Sequence, residues 1–368
     1  MAIEPVNVGI VGCGNISGTY FTHCKEMEAL EVVACSDIIL ERAEASAEEF
    51  DIPTAGHNGA VFDNPDVELV ICLTPPLAHT EIMQAALAAG KHAYTEKPFA
   101  ICREDGRATL AAAAEKGLLV GGAPDTFFGG GIQTCRKLID EGAIGEPVAA
   151  TAFMLSSGVE SWHPDPEFFY EPGGGPMLDM GPYYLTALVN LLGPIRRVAG
   201  RARISFAERT ITSKKKRGQK IPVQTPTHIA GVMDFACGAV GTAIMSFDVQ
   251  AHNLPRIEIY GSEATLSVPD PNTFGGPVRI GRKRNDWEEV ELTHGYADNT
   301  RGIGPADLAV SLRTGRKHRA CGELTFHVLD AMLAFNDASE AGGFVELAST
   351  CERPAPLPLG LEHGALDE

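Results

Sequence analysis

No apolar run in this 368-residue chain is long enough to cross a bilayer without a break. There is no C-x-x-C pair and no H-E-x-x-H segment, so no local pattern supports a metal site. Positive charge is scarce: 30 Lys and Arg stand against 48 Asp and Glu, a formal net charge of -18. Such a surface disfavours nucleic acid and anionic membranes as partners. The cluster Lys214-Lys215-Lys216-Arg217 runs against that trend, but it lies beside Gly218 in a polar stretch and reads as a solvated loop. The 9 cysteines are scattered through the chain, and Cys13, Cys35, Cys72 and Cys237 sit in apolar runs. An odd, scattered set fits reduced thiols in a cytoplasmic protein and not a disulfide framework. Residues 1–7 are polar, carry Glu4 and have no basic flank, so no secretory leader is expected. No internal repeat is visible.

What is present is organised around Val6–Val11, an apolar run that reads as a buried strand. It ends in the turn Gly12-Cys13-Gly14, followed by Asn15, Ile16 and a helical stretch over residues 16–30. The first glycine permits the turn; the second lets backbone approach a pyrophosphate seated on the positive end of the helix. Ser17 takes the third fingerprint position, where a small residue keeps helix and strand close. A second strand over 31–36 ends at Asp37, 25 residues beyond Gly12. An acid at about this spacing binds the ribose hydroxyls of NAD, and its charge repels the extra phosphate of NADP. NAD is therefore the expected cofactor, with NADP less favoured.

At this length the chain divides into two domains. The first half alternates strand and helix: helix 41–50, strand 67–74, helix 78–89, strand His92–Thr95, helix Arg103–Lys116, strand 118–121. This is the rhythm of a parallel sheet covered on both faces, whose ligands bind beyond the carboxyl ends of the strands. The turn at Gly12, the segment Thr74-Pro75-Pro76 and the segment Glu96-Lys97-Pro98 meet there. The two prolines make a fixed apolar wall for a nicotinamide ring, and His79 caps the next helix or points at the site. After residue 122 strands dominate, at 148–156, 197–206, His228–Phe235, 239–248, 256–260 and 264–268. They predict a large open, mostly antiparallel sheet with helices, such as 183–192, on one face and a homodimer or homotetramer contact on the other. Helices follow at 305–312 and 323–335. The expected layout is an α/β chain with a Rossmann domain at 1–123, an α/β substrate and oligomerisation domain at 124–350, and a tail or strap at 351–368.

Two segments carry candidate chemistry. Lys97, held between Glu96 and Pro98, offers an ammonium that could hydrogen-bond a substrate hydroxyl and stabilise its alkoxide; pairing with a nearby acid is the plainer alternative. In Gly173-Gly174-Gly175-Pro176-Met177-Leu178-Asp179-Met180-Gly181-Pro182-Tyr183, Pro182 suits the first position of a helix. Asp179 and Tyr183 share a helix face if the helix starts as early as Met177; capping by Asp179 and packing by Tyr183 are the structural alternatives. Trp162, His163, His228 and Asp125 are candidate substrate contacts, because sugar sites favour an aromatic wall and neutral hydrogen-bonding groups. Phe127 and Phe128 read as hinge packing.

The turn with Asn15 to Ser17, Thr74-Pro75-Pro76 with His79, Glu96-Lys97-Pro98, the glycine–aspartate segment with Tyr183, and Asp307-Leu308-Ala309 with Arg313-Thr314-Gly315-Arg316 together resemble the glucose-fructose oxidoreductase, inositol dehydrogenase and rhizopine catabolism family over about residues 6–337. The resemblance implies a nucleotide domain followed by an open-sheet domain, and hydride transfer between a nicotinamide cofactor and a sugar or cyclitol hydroxyl. It places the family's lysine on Lys97 and its acid on Asp179. Tyr183 matches a histidine in the inositol dehydrogenase branch and a tyrosine in the glucose-fructose oxidoreductase and dihydrodiol dehydrogenase branches. That implies a pyranose or related diol as substrate. In the resulting mechanism Tyr183, its pKa lowered by the Lys97 ammonium, moves the proton while Asp179 orients substrate or lysine; Lys97 and Tyr183 are interchangeable in this reading. The alternatives are a redox-neutral, NAD-dependent glycoside-cleaving enzyme and a non-catalytic NAD-binding regulator.

Overall fold

The computed structural model describes residues 3–283 and 286–367. These fall into two compact units: Met1–Gln133 with Thr293–Phe326 and Pro354–Glu368, and Thr134–Leu292 with His327–Arg353.

In the first unit, strands β1 (Val6–Val11), β2 (Leu30–Ser36), β3 (Thr54–Gly56), β4 (Leu69–Cys72), β5 (His92–Thr95) and β6 (Val120–Gly122) form one sheet in the order β3-β2-β1-β4-β5-β6. Every neighbouring pair is parallel. Val8, Ile10, Val70, Ile71 and Ala93 are fully buried, as expected for strands covered on both faces. Helices α1 (Ser17–Glu26), α2 (Leu40–Glu49), α3 (Gly59–Phe62), α4 (His79–Ala88) and α5 (Arg103–Lys116) connect them. Helix α1 buries Ser17, Tyr20, Phe21 and Cys24, an i, i+3, i+4, i+7 stripe. It stops before residue 30 because Met27 turns extended.

The second unit holds a nine-stranded sheet. Its strands are β7 (Pro147–Leu155), β8 (Ile195–Arg203), β11 (His228–Phe235), β12 (Val240–Ser246), β13 (Ile257–Gly261), β14 (Thr265–Val268), β15 (Val278–Lys283), β16 (Asp286–Val290) and β17 (Val345–Glu346); the short pair β9 (Glu208–Thr210) and β10 (Lys220–Pro222) stands apart. The order is β16-β15-β14-β13-β7-β12-β11-β8-β17, and β7–β12 is its one parallel pair, so the sheet is mixed but mostly antiparallel. Helix α6 (Gly130–Asp140) enters this unit, and α7 (Gly175–Leu192) packs on β7, β11 and β12. Ile229, Met233, Ala243, Met245, Ile257 and Ile259 point to the covered face and are buried. At the paired Gly200 and Gly231 the face also receives Phe335; a Cβ on Gly231 would come within 2.7 Å of that ring and 2.3 Å of the Ala199 carbonyl oxygen. On the opposite face Thr151, Ala230, Val232 and Ile244 are only half-buried and Thr242 is exposed.

The units are not the three consecutive stretches expected. Helix α8 (Ile303–Thr314) packs against β6 and α1, and the bridge Gly121–Cys321 adds to the same edge, so the segment after the second sheet returns to the first unit. Residues 354–367 do form a strap, but they belong to the nucleotide unit. The Arg319 guanidinium donates to the carbonyls of Ala355 and Pro356 and to Asp367, the Tyr296 hydroxyl donates to the Glu362 carbonyl, and Glu28 N–H donates to the Gly364 carbonyl. Beneath them Asp307, with no exposed side-chain surface, pairs with Arg316 at 2.7 Å and Arg319 at 2.6 Å. Among the described residues, no helix is long and apolar enough to cross a membrane.

Candidate active site

The order β3-β2-β1-β4-β5-β6 reverses direction between β1 and β4. Connections leave these two neighbours toward opposite sides, so a crevice opens beyond their carboxyl ends. Gly12 occupies φ +104°, and a Cβ there would press on the backbone of Leu73 and Thr74 at 2.9–3.0 Å. No other residue type fits this turn. Gly14 is exposed, with no atom within 4 Å of its Cβ position. Ser17 explains its own place in the fingerprint: its hydroxyl donates to the Gly14 carbonyl at 2.7 Å, tying helix α1 to the turn.

Asp37 lies against the same turn. One carboxylate oxygen accepts from Cys13 N–H at 2.9 Å, the other from Ile39 N–H at 2.8 Å. A carboxylate has about four acceptor sites, so capacity for ribose hydroxyls remains. Beside it the Cys13 thiol is held below its usual pKa, first by its hydrogen bond with Cys35, whose own thiol is pushed up by the same bond and by burial. The glycine that a Cβ would fill, the open Gly14 and the acid on the turn fit a dinucleotide. Asn15 and Ile16 stand at the start of α1, the end of a helix whose dipole favours an anion.

Thr74 and Pro75 follow β4, and a short 3-10 turn, Pro76–Ala78, leads into α4. His79 does not present itself to a cofactor. It is 1% exposed, with Nδ1 2.8 Å from the Pro98 carbonyl and Nε2 2.8 Å from the Thr74 carbonyl. Both partners are pure acceptors, whereas burial pushes the imidazole pKa down. A neutral ring donates to one carbonyl and merely abuts the other. His79 is thus a buried tie between the segments after β4 and β5.

The second of those segments is Glu96-Lys97-Pro98. Glu96 takes the Tyr20 hydroxyl on one carboxylate oxygen at 2.7 Å and the Lys97 backbone N–H on the other at 2.9 Å. Asp125, expected as a substrate contact, is 1% exposed. One of its oxygens accepts from Gly302 N–H at 2.9 Å and Gly304 N–H at 3.1 Å, so it caps α8 from outside that helix. Burial pushes its pKa up to about 6. Phe127 and Phe128 are buried packing, with ring centroids 4.5 Å apart.

In the second unit, α7 starts at Gly175, with Pro176 in its first turn and Pro182 inside it. The first-turn preference for proline is met by the earlier Pro176, and Pro182 merely removes the donor for the Leu178 carbonyl. Asp179 and Tyr183 therefore lie four residues apart on one helix face, Asp179 half-buried and Tyr183 7% exposed. The loop before α7 carries Trp162, 64% exposed, and His163, whose ring meets Trp162, Phe168 and Phe169 edge-on at 5.4, 5.4 and 5.1 Å. The Asp165 N–H donates to His163 Nδ1, leaving Nε2–H as a donor. His228, half-buried at the start of β11, pairs with Ser246 at 2.9 Å beside a 370 Å³ cavity lined by Arg203, Phe206 and Asp248.

Sequence reasoning missed what fixes this loop. The Arg209 guanidinium, 9% exposed, binds Glu160, Asp248 and the carbonyl of Phe247, while Tyr170 donates to Glu160. Lys215 and Lys216 pair with Asp165, and Lys216 with Glu167. The basic cluster is thus a brace of the aromatic loop, not merely solvated. No spacing in the chain signals these pairings, which join residues about 40–50 positions apart. Among the described residues no group of His, Cys, Asp and Glu could hold a metal ion.

A parallel sheet with a glycine turn and an acid at its switch point, joined to a second open-sheet unit, defines a dinucleotide-dependent oxidoreductase architecture. The family description "Oxidoreductase family, NAD-binding Rossmann fold" matches residues 6–122, and "GFO/IDH/MocA C-terminal domain" matches residues 132–267. The dTDP-3,4-didehydro-2,6-dideoxy-alpha-D-glucose 3-reductase of Streptomyces antibioticus is 30% identical over 79% of this chain and 90% of that protein. The scyllo-inositol 2-dehydrogenase (NADP(+)) of Bacillus subtilis is 25% identical over 82% and 80%. A solved levoglucosan dehydrogenase in complex with NADH shares the fold, with a TM-score of 0.80 at 21% identity, covering 94% of this chain and 100% of that one. The chain belongs to the GFO/IDH/MocA oxidoreductase family.

The Asp125 carboxyl titrates above its ordinary value of 3.8, so the folded state holds this proton more tightly than the unfolded chain. Its stabilising contribution is full below about pH 4 and is lost as pH rises through about 6, a difference of about 3 kcal/mol. Asp125→Asn keeps an oxygen for both glycine N–H groups and removes the charge. Its stability relative to wild type should rise by up to this amount between pH 4 and 7.5 in denaturant melts. A pH-independent difference would show that Asp125 does not titrate in this range.

Proposed function

We propose that this chain is an NAD-dependent dehydrogenase that moves a hydride between the cofactor and a secondary hydroxyl or ketone of a sugar, sugar derivative or related diol. The observation that carries the reading is α7, which sets Asp179 and Tyr183 on one face in a chain whose β5 is followed by Glu96-Lys97-Pro98. Relatives named for a deoxysugar nucleotide, an inositol and levoglucosan support a carbohydrate substrate.

Backbone at Gly12, Gly14, Asn15 and Ile16 holds the pyrophosphate, and Asp37 binds the ribose hydroxyls. The Asp37 carboxylate, with exposed Ile38 next to it, disfavours a 2′-phosphate and so selects NAD over NADP. Thr74 and Pro75 form the wall for the nicotinamide ring, which when bound supplies the hydride acceptor or donor. Lys97 donates to the substrate oxygen and stabilises its developing negative charge. Tyr183 takes the proton in oxidation and returns it in reduction. Asp179 orients the substrate or the lysine. Trp162 offers an aromatic wall to the sugar ring, and His163 and His228 offer neutral hydrogen-bonding groups. Buried thiols such as Cys24, Cys35 and Cys72 suit a reducing cytoplasm.

The reading is tested by following reduced-nicotinamide absorbance with NAD or NADP and a panel of aldoses, glycosides, anhydrosugars, cyclitols and diols. Turnover with NAD and one pyranose group is expected, and Tyr183→Phe should lower kcat by about 100-fold or more while NAD affinity stays within about twofold. Turnover with NADP alone overturns the role of Asp37. NAD binding with no absorbance change in either direction, the corresponding ketones included, overturns the dehydrogenase.

The half-buried face of the nine-stranded sheet supports a homodimer or homotetramer. Its centre is small and apolar or Thr-rich (Thr151, Ala230, Val232, Thr242, Ile244), and its margins carry both signs of charge, including Arg201, Glu258, Arg279 and Glu289. Such a face is self-complementary under a two-fold axis. Light scattering should give a multiple of the 39.1 kDa chain mass, and Ile244→Arg should reduce it. A wild-type monomer at micromolar concentration rules this contact out.

A further inference from the structure

Tyr20 lies on helix α1, directly downstream of the glycine turn, and it is completely buried. Its ring belongs to the packed stripe of that helix, and packing alone explains a large side chain there. Packing does not explain the hydroxyl. A phenol with no water access costs free energy unless it is hydrogen-bonded. Tyr20 finds its partner 76 residues away, in the Glu96 carboxylate, at 2.7 Å. The other oxygen of that carboxylate takes the backbone N–H of Lys97 at 2.9 Å. Glu96 is itself anchored by its own N–H, which donates to the Cys72 carbonyl at 2.8 Å. A continuous hydrogen-bonded line therefore runs from the helix that starts at the cofactor turn, through Glu96, to the peptide that carries Lys97.

We propose that Tyr20 is a positioning residue: its hydroxyl orients the Glu96 carboxylate, and through it fixes the backbone and sets the electrostatic surroundings of Lys97. The inference rests on the reading that Lys97 serves the substrate oxygen. A charge-assisted hydrogen bond from a buried donor is among the stronger restraints a carboxylate can have. It also spreads the negative charge of Glu96 onto the phenol. Without it, Glu96 leans more heavily on the cations and donors that remain, and Lys97 is the adjacent cation in the chain. The ammonium would then hold its proton more tightly.

The titratable groups facing the Tyr20 hydroxyl are Tyr94 from β5, Glu96 directly after it and Asp125 from the turn after β6. Burial and these acids raise the phenol well above its ordinary pKa, so Tyr20 acts here as a hydrogen-bond donor across the physiological range. Tyr94 supplies an internal control. It is equally buried and close by, yet among the described residues its hydroxyl has no hydrogen-bond partner. If burial of a phenol near Glu96 were the relevant feature, the two tyrosines would behave alike.

The test is the pH dependence of acetic anhydride labelling at Lys97, read by peptide mass spectrometry on the full chain without cofactor, alongside turnover and NAD affinity. Tyr20→Phe should raise the Lys97 labelling midpoint by about half a pH unit or more. It should also lower kcat by about tenfold, with NAD affinity and melting temperature near wild type. Tyr94→Phe should leave the midpoint unchanged. Glu96→Gln keeps an acceptor for the Tyr20 hydroxyl but removes the charge, and should lower the midpoint; it decides the matter if Tyr20→Phe does not fold. An unshifted midpoint in Tyr20→Phe, an equal shift in Tyr94→Phe, or an unshifted midpoint in Glu96→Gln overturns the proposal. If the wild type turns over none of the sugars, the dehydrogenase reading fails, and the labelling midpoints still decide the role of Tyr20.

Discussion

The nucleotide unit depends on one topological constraint. Right-handed crossovers in an all-parallel sheet leave β1 and β4 in opposite directions, so the chain cannot cover the carboxyl ends of both. That uncovered edge is where backbone N–H groups, the Asp37 carboxylate and the segments after β4 and β5 end up. The turn at Gly12 then has no freedom, because its backbone runs against Leu73 and Thr74 on the neighbouring strand. Every candidate cofactor contact in this unit follows from the strand order together with that one close approach.

The second constraint is the placing of buried charge. Asp307 with Arg316 and Arg319, Arg209 with Glu160 and Asp248, and Asp125 under the start of α8 are all largely removed from water. Pairs of this kind add little net stability over a well-packed apolar core, but removing one partner leaves a buried charge uncompensated. They act as fasteners between segments distant in the chain: the strap at 354–367, the aromatic loop before α7, and the helix that returns to β6. Where the positioned groups carry candidate chemistry, the fasteners are themselves polar. Glu96 bonds two partners and His79 lies between two carbonyls, donating to one, and so they tie the ends of β4, β5 and α1 together.

Much of this was legible in the chain. Apolar runs that end in glycine or proline marked the buried strands of the first sheet, because a strand covered on both faces has no polar alternation to hide it. The Gly12 turn, the acid at 37 and the lysine at 97 could be named because each requirement is local: a φ only glycine adopts, a spacing along one βαβ unit, a residue at a strand end. Edge strand β16 and its neighbour β15 escaped notice because β16 is exposed and mostly charged, and β15 offers only Val278 and Ile280 as a short alternating signal. The start of α7 was read at the wrong proline, since either Pro176 or Pro182 satisfies the rule for a first turn and only the packed structure chooses between them.

By itself, then, the sequence determined the class of fold and the cofactor-type turn, and it offered a shortlist of candidate side chains, all from properties of neighbouring residues. Tertiary structure alone decided which shortlisted groups remain available. Asp125 and His79 are consumed by backbone partners, Glu96 is shared between Tyr20 and Lys97, and residues 293–326 and 354–367 return to the first unit. The reason is physical. A buried polar group is satisfied by what lies within about 3 Å, and for Glu96 and Asp125 those neighbours include residues 76 and 177 positions away in the chain.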